Sequence, residues 1–212
     1  MNLNDLTIAL TMRVTHPSAY AEPRDSVSHD WIAKLDAAGA DILLLPNGLS
    51  DPAAPLRRRR PDLVILSGGE DLGMEPVRDA AERAVLEHCL DQAIPVLGVC
   101  RGMQLINDYY GGRTEPVEGH VAVRHTLAVD APFDDLYPGS AETNSFHNRA
   151  ISRHGLSPEL TAWATDGAGL IEALAHRTAP LLGVMWHPER PGHPAGDDAL
   201  IERLAREGAF WR

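Results

Sequence analysis

The 212-residue chain has only two cysteines, Cys89 and Cys100. So few cysteines exclude a framework of several disulfides and fit a reducing compartment, so we expect a cytoplasmic protein. No apolar run approaches the roughly 18 residues that a membrane span requires. The N-terminus also lacks the basic and then apolar pattern of a signal peptide. These absences predict no membrane partner.

Basic side chains are also scarce, because 19 of them face 30 acidic ones, which gives a net charge of −11. A chain this acidic is a poor general binder of nucleic acid or of anionic membranes. The hydrophobic content of 44% and the charged content of 23% are ordinary for a globular protein. The length suits one large α/β domain, so we expect residues 1–212 to form a single domain.

Short apolar runs alternate with helical patterns through the first half of the chain, which predicts a parallel sheet covered on both faces. Ser28 is expected to cap the first helix, and Asp197 or Asp198 the last. Residues 13–26 are expected to form a loop. Strands are predicted at 7–12, 41–45, 63–66, 96–99 and 181–185, helices at 28–38, 77–92, 101–110 and 197–207, and strand-like pieces at 127–129, 162–164 and 170–174.

The buried strand predicted at 96–99 stops at Cys100, and a helical pattern follows at once. A nucleophile at a sharp strand-to-helix turn is typical of a nucleophile elbow. Gly98 and Gly102 would remove side chains that crowd the turn, and the helix N-terminus would favour the thiolate. The alternative is a buried core cysteine at a strand end.

Three of the strongest predicted strands end in functional residue types, at residues 67–69, at Cys100 and at His187. Since sites in parallel sheets collect beyond the carboxyl ends of the strands, this coincidence favours a functional Cys100. His187 is a plausible base for the thiol. Glu189 lies two residues later, and in an extended segment it would share a side with His187 and orient its ring.

Gly68 and Gly69 follow a predicted strand, and glycine backbone can approach a ligand closely. We predict that the N–H groups of Gly69 and Arg101 stabilise an oxyanion, although a plain tight turn is the alternative for the glycine pair. Arg57 to Arg60 could bind an anion, but a solvated helix end is the favoured interpretation. The spacing of histidines, cysteines and acids indicates no metal-ligand cluster.

Four motifs together resemble the class I glutamine amidotransferase-like superfamily, and most closely its stand-alone γ-glutamyl hydrolases of the γ-glutamyl-γ-aminobutyrate hydrolase (peptidase C26-like) type. The resemblance covers roughly residues 5–205. The motifs are Ser67-Gly68-Gly69, Gly98-Val99-Cys100-Arg101-Gly102-Met103-Gln104, Asn144-Ser145-Phe146-His147 and Trp186-His187-Pro188-Glu189.

This resemblance implies an α/β fold, a flavodoxin-like three-layer sandwich with a mostly parallel central sheet. It also implies a triad of Cys100, His187 and Glu189 that needs no metal or organic cofactor. Gln104 would contact a γ-glutamyl small molecule. Ser145, Phe146 and His147 would bind its α-amino acid end, although a loop histidine held by hydrogen bonds is an equal alternative for His147.

The implied reaction is hydrolysis of a γ-glutamyl amide through a γ-glutamyl thioester. The alternative is a glutaminase subunit that delivers ammonia to a separate synthase. A non-catalytic binding module is a third interpretation, which the intact set of cysteine, histidine and glutamate argues against. A homodimer is left open.

The segment from Tyr20 to Ser26 resembles a short subgroup associated with surface-polysaccharide modification. In that setting the substrate is a γ-glutamyl group on a phosphoramidate-bearing nucleotide, such as γ-glutamyl-CDP-amidate. Arg13 or Arg24 would then face a phosphate, since arginine can pair with it bidentately. The alternative is that Arg24 pairs with Asp25 or Glu22 in a surface loop.

Overall fold

Every residue of three central strands is buried, as continuous apolar runs in a parallel sheet require. In the computed structural model, which describes residues 1–138 and 141–212, these strands are β5 (Leu63–Leu66), β6 (Val96–Val99) and β13 (Leu181–Val184). The first two match the predicted bounds, and the third ends one residue earlier than predicted. The sequence pattern therefore located the centre of the sheet.

The described residues form thirteen strands and five helices. The remaining strands are β1 (Thr7–Thr11), β2 (Arg13–Thr15), β3 (Arg24–Ser26), β4 (Asp41–Leu45), β7 (Glu115–Pro116), β8 (Val121–Val129), β9 (Ala141–Phe146), β10 (Arg149–Ala150), β11 (Leu160–Thr165) and β12 (Ile171–His176). The helices are α1 (His29–Ala37), α2 (Ala54–Arg59), α3 (Pro76–Gln92), α4 (Arg101–Tyr109) and α5 (Gly196–Glu207).

Nine strands form one sheet in the order β4-β1-β5-β6-β13-β12-β11-β8-β9. The first five strands are parallel, and the last four extend the sheet with antiparallel pairs. Helices α1 and α5 pack into the core on one face, whereas α2, α3 and α4 pack into the core on the other. The flavodoxin-like three-layer arrangement that the resemblance implied is therefore confirmed.

Local signals at the helix ends gave mixed results. Ser28 accepts a hydrogen bond from the N–H of Asp30 and caps α1 as predicted. The predicted cap of α5 is wrong, because the cap position is Ala195 and it makes no side-chain cap bond. Asp197 is instead buried, where it accepts from the hydroxyl of Tyr137 at 2.8 Å and from the indole N–H of Trp186 at 3.1 Å. Burial raises the pKa of Asp197 despite these donors.

The loop predicted at residues 13–26 contains an antiparallel pair, β2 with β3. Each strand has three residues and is largely exposed, so it has no apolar alternation that a sequence could display. The pair is tied to the sheet edge through Asp25, whose carboxylate accepts from the N–H and the side-chain amide of Asn47 at 2.8 and 2.6 Å. The arginine run ends α2 and is exposed, as predicted.

No helix among residues 1–138 and 141–212 combines the length and the apolar composition needed to cross a membrane.

Close packing of the turn after β6 against the neighbouring strand explains two glycines. A Cβ at Gly102 would lie 2.1 Å from the backbone oxygen of Leu66, and one at Gly98 would lie 2.6 Å from the backbone of Gly102. Neither contact can be relieved by rotating a side chain. Side chains at these two positions would crowd the turn, as predicted, and their absence lets the backbones of β5, β6 and α4 pack closely.

We expect Gly102→Ala to lower the free energy of unfolding by about 2 kcal/mol or more, because the added methyl must displace the backbone of β5. Denaturant unfolding followed by circular dichroism measures this loss. Gly48→Ala is the matched control, since a Cβ there has nothing within 4 Å. Equal unfolding midpoints for the two variants would show that the turn is not tightly packed.

Candidate active site

Three adjacent strands, β5, β6 and β13, run parallel, so their carboxyl ends lie at one edge of the sheet. Residues 67–69 follow the first of these strands, and Cys100 follows the second directly. His187 lies three residues beyond the third. A Cβ built at Gly68 would lie 2.8 Å from Cε1 of His187 and 3.7 Å from Cβ of Cys100. The three chain segments therefore meet, as the strand ends predicted.

Cys100 has a strained backbone at the corner between β6 and α4. Its φ of 52° and ψ of −103° are unusual for a residue other than glycine. The position is held by a hydrogen bond from the N–H of Cys100 to the oxygen of Val184, at 2.8 Å. This strand-to-helix corner has the geometry of a nucleophile elbow.

The imidazole of His187 lies between a carboxylate and the thiol. Its Nδ1 is 2.7 Å from Oε1 of Glu189, and both side chains are buried. Burial alone would lower the pKa of His187, but the neighbouring Cys100 sulfur and the Glu189 carboxylate outweigh burial and raise it to about 9. At neutral pH the ring is therefore held as an imidazolium beside the sulfur.

The local route from His187 to Glu189 differs from the expected extended segment. The N–H of Arg190 donates to the oxygen of His187 at 3.1 Å, so the segment turns around Pro188. The expectation of extended backbone was wrong, although the two side chains do meet. A tight turn closed by this hydrogen bond achieves the contact instead.

Asn144 clamps the backbone of His187, a role that sequence reasoning missed. Its Oδ1 accepts from the N–H of His187 and its Nδ2 donates to the oxygen of His187, both at 2.9 Å. The neighbouring Phe146 presents its ring edge-on to the imidazole, with ring centroids 5.9 Å apart. The guanidinium of Arg190 lies 4.5 Å from the centroid of the Phe146 ring. The sequence did offer one signal for a role of Asn144, which is its place in the same motif as Phe146.

The peptide that joins Gly68 to Gly69 is fixed by a buried arginine. Nη2 of Arg78 donates to the oxygen of Gly68 at 3.1 Å, and a Cβ at Gly69 would lie 2.2 Å from Nη1 of Arg78. Because C=O and N–H point in opposite directions across a trans peptide, holding the carbonyl also sets the direction of the Gly69 N–H. The N–H of Arg101, at the first position of α4, has no intrahelical acceptor. Arg101 directly follows Cys100, and Gly69 follows Gly68, whose Cβ position lies 3.7 Å from Cβ of Cys100; the role of the two N–H groups as oxyanion donors stays a prediction.

The side chain of Arg101 points into a buried ion network rather than into the site. Its guanidinium pairs with Asp79 and with Glu82. Glu82 also accepts from Nε of Arg78 at 3.1 Å and from the hydroxyl of Thr11 at 2.6 Å. One carboxylate therefore links the segment after Cys100 to the segment after β5.

The predicted substrate-binding residues differ in how their side chains are held by hydrogen bonds. Gln104 is one helical turn after Cys100, and its amide donates to the oxygen of Arg149 at 3.4 Å. The hydroxyl of Ser145 donates to the oxygen of His120 at 2.7 Å, and its backbone is paired with Val123 of β8. Nδ1 of His147 lies 3.0 Å from the oxygen of Arg149. The structure thus holds His147 by hydrogen bonds, which was the alternative for this residue.

Arg24 lies on the exposed strand β3, where its Nε is 2.9 Å from Oε1 of Glu22 and its guanidinium lies against the Tyr20 ring. This is the surface pairing that was the alternative for Arg24. Arg13 instead lines a small cavity of about 30 Å³ together with His187 and Arg190. Of the two arginines considered for a phosphate, Arg13 is the one beside the triad.

The fold also gathers His120, His125, His147 and Glu172, for which the spacing along the chain gave no indication. One ligand atom from each lies within 4.8 Å of the others. The residues come from segments that only the antiparallel part of the sheet brings together.

The fold and the strand-end site define an α/β protein of the class I glutamine amidotransferase-like type. A GMP synthase subunit from Thermoplasma acidophilum superposes with a TM-score of 0.73 at 19% identity, covering 95% of this chain and 94% of the other. A glutamine amidotransferase from Thermotoga maritima gives 0.65 at 18% identity over 88% and 77% of the two chains. The Peptidase C26 family model matches residues 7–189, so the chain belongs to that family.

The relatives of this chain include a hydrolase and a subunit of a glutamine-hydrolysing synthase. A γ-glutamyl-CDP-amidate hydrolase from Campylobacter jejuni is 33% identical over 190 residues, which is 86% of this chain and 90% of the relative. One subunit of the glutamine-hydrolysing GMP synthase from Haloarcula marismortui is 33% identical over 163 residues, covering 74% of this chain and 79% of the relative. The resemblance drawn from the motifs is confirmed, and the comparisons support a hydrolase of the glutamine amidotransferase type.

We expect Glu189→Gln to lower the pKa of His187 from about 9 toward its ordinary value of 6.5, because the variant removes the negative charge beside Nδ1. NMR titration of isotope-labelled histidine measures the change. Glu207→Gln, an exposed carboxylate paired with Arg203 on α5, is the control and should leave the titration of His187 unaltered. An unchanged pKa in Glu189→Gln would show that the carboxylate does not control the ring.

Proposed function

We propose that the chain hydrolyses a γ-glutamyl amide with Cys100 as nucleophile, His187 as acid and base, and Glu189 as the group that orients His187. The observation that carries this proposal is the imidazole of His187, which is hydrogen-bonded to Glu189 and meets Cys100 beside Gly68. A thiol, a base and an orienting acid in this order match the requirements of nucleophilic catalysis.

In the first half of the reaction, the sulfur of Cys100 attacks the γ-carbonyl carbon of the substrate. The carbonyl oxygen becomes an oxyanion that accepts hydrogen bonds from the N–H groups of Gly69 and Arg101. The imidazolium of His187 then gives its proton to the leaving nitrogen, and the carbon–nitrogen bond breaks. The products of this half are the free amine or amidate and a γ-glutamyl thioester on Cys100.

In the second half, neutral His187 takes a proton from water, and the resulting hydroxide attacks the thioester carbon. The same two N–H groups stabilise the second oxyanion. The carbon–sulfur bond breaks, glutamate leaves, and the thiolate and imidazolium are restored. The second proton of the attacking water stays on the new γ-carboxyl group and passes to solvent, so the protons balance over the two halves.

The glutamyl part of the substrate is assigned to the side of the triad that holds Gln104. Gln104 is four residues after Cys100 on α4, so the two residues share a helix face. The backbone of residues 145–147 continues this surface from the end of β9. Phe146 contacts the imidazole and so closes the site beside the reacting carbonyl.

The leaving group is assigned to the side of His187 where Arg13 and Arg190 lie; the cavity of about 30 Å³ there holds one water at most, so the leaving group would lie outside it. Two guanidinium groups favour an anion there, and arginine pairs well with phosphate. The Campylobacter jejuni relative carries γ-glutamyl-CDP-amidate in its name, and that substrate would place a phosphoramidate at this position. We therefore propose a nucleotide-linked γ-glutamyl substrate, acted on in the cytoplasm, where both free cysteines stay reduced.

A glutaminase subunit is the second candidate, because a GMP synthase component of Haloarcula marismortui is also a relative. The two functions differ in what the isolated chain can do. A hydrolase cleaves γ-glutamyl amides alone, whereas a glutaminase component needs its synthase to reach full activity. Assays of the purified protein, with glutamine and with other γ-glutamyl amides as substrates, separate the two functions.

We expect Cys100→Ala to reduce hydrolysis of a γ-glutamyl anilide by at least about 1,000-fold, since the nucleophile is lost. Acid-quenched wild-type protein should carry a glutamyl adduct by intact mass, and the variant should not. Cys89→Ala is the matched control, because burial raises the pKa of Cys89 to about 12 and keeps it an inert thiol. Activity that survives in Cys100→Ala would contradict the mechanism, as would its loss from a folded Cys89→Ala.

We expect Arg13→Ala to raise the KM for a γ-glutamyl nucleotide phosphoramidate by about 10-fold, the loss of one charge-assisted hydrogen bond. The KM for a γ-glutamyl anilide, which has no phosphate, should not change. Arg24→Ala is the control, and both of its KM values should match the wild type. An equal rise for both substrates in Arg13→Ala would argue against an anion subsite, because Arg13 would then act through its contact with Glu70.

A further inference from the structure

The histidine–glutamate cluster consists of His120, His125, His147 and Glu172. His125 lies within β8 and Glu172 within β12, while His120 directly precedes β8 and His147 directly follows β9. One ligand atom of each side chain lies within 4.8 Å of the others. Three imidazoles and one carboxylate are thus collected at a single point of the fold.

Polar atoms of this cluster are buried without partners. Among the described residues, no hydrogen bond reaches Nδ1 of His120, Nε2 of His125, Nε2 of His147 or either carboxylate oxygen of Glu172. The side chains of His147 and Glu172 are each only 1% exposed. An unpaired buried carboxylate is strongly disfavoured, so the cluster requires a positively charged partner.

In His147 and in His120, the second ring nitrogen has an oxygen neighbour. Nδ1 of His147 donates to the oxygen of Arg149 at 3.0 Å, and Nε2 faces Glu172, 3.4 Å away. Nε2 of His120 lies 3.9 Å from a carboxylate oxygen of Asp166, with Nδ1 turned to the cluster. Histidines that bind metals characteristically direct their other nitrogen to a carbonyl or carboxylate in this way.

We propose that His120, His125, His147 and Glu172 bind one divalent transition-metal ion, with Zn²⁺ as the best match. Imidazole nitrogen and carboxylate oxygen are ligands that Zn²⁺ prefers, and four of them complete a tetrahedral site. Bonds of about 2.0–2.2 Å imply ligand atoms about 3.3–3.5 Å apart, so the widest gap must close by about 1.4 Å. Rotation about the side-chain torsions of the ligands must supply that movement.

The ion would act on the frame of the candidate active site and not on the reacting atoms. The backbone oxygen of Glu172 accepts from the N–H of Met185 at 2.7 Å, and Met185 lies two residues before His187. His147 ends the segment that contains Asn144, which clamps the backbone of His187. Coordination would therefore tie β8, β9 and β12 together beneath the residues that hold the imidazole.

The test uses the full chain, freed of metal by a chelator and then titrated with Zn²⁺ and, separately, with Co²⁺. We expect one Zn²⁺ per chain, an increase in Tm on binding, and the visible absorption of tetrahedral Co²⁺. Glu172→Gln and His125→Ala should each weaken Zn²⁺ binding by at least about 10-fold. His154→Ala, which removes an exposed histidine outside the cluster, should bind as the wild type does.

Circular dichroism checks that each variant is folded. If Glu172→Gln does not fold, His125→Ala alone tests the proposal, because the ring of His125 is partly exposed and its loss should be tolerated. The absence of stoichiometric binding by the wild type would overturn the proposal and leave a protonated His147 as the partner of Glu172. Binding that survives in both cluster variants would also overturn it, because the ion would then lie elsewhere.

Discussion

The carboxylate of Glu82 is the group on which the geometry of the candidate site depends. It lies between two fully buried guanidinium groups, those of Arg78 and Arg101, whose burial without a counter-ion would cost several kcal/mol each. Arg78 also holds the oxygens of Ser67 and Gly68, at 2.9 and 3.1 Å. Arg101 is the residue after the cysteine. The two segments that carry the proposed oxyanion donors are thus fixed to one anion.

This network explains how a strained cysteine can persist at the corner. The φ of 52° at Cys100 is unfavourable, and such strain survives only where the surroundings determine the backbone on both sides. On one side the N–H of Cys100 is bonded to Val184, and on the other Arg101 is anchored through its side chain. Gly102 allows the helix to approach β5 closely enough for both contacts. Packing and electrostatics therefore act together on a single turn.

The parallel half of the fold was predictable because each element carries its own local signal. The strands before residues 67 and 100 are continuous apolar runs, and Ser28 caps α1 through its own side chain. The pair of β2 and β3 left no such signal, since its stability comes from the contact between Asp25 and Asn47. The prediction that Asp197 caps α5 failed for the same reason, because the hydrogen-bond partners of Asp197 are distant in sequence.

The residues of the candidate site also divide into those that carry a local sequence signal and those that do not. Cys100, His187 and Glu189 could be inferred because each follows a recognisable strand and parallel strands end together. The histidine–glutamate cluster could not, because its members are 5, 22 and 25 residues apart along the chain (120 to 125, 125 to 147, 147 to 172). Only the pairing of antiparallel strands, whose register no local pattern fixes, brings them together.

The histidines themselves show why environment and not residue type decides a role. The ring of His187 is hydrogen-bonded through Nδ1 to Glu189, and the neighbouring carboxylate and sulfur raise its pKa to about 9 against the effect of burial. His147 is bonded at one nitrogen only, and its other nitrogen faces a carboxylate that itself lacks a donor. A ring hydrogen-bonded to a carboxylate beside a thiol suits proton transfer, whereas a ring whose unbonded nitrogen faces a bare carboxylate suits the binding of a cation.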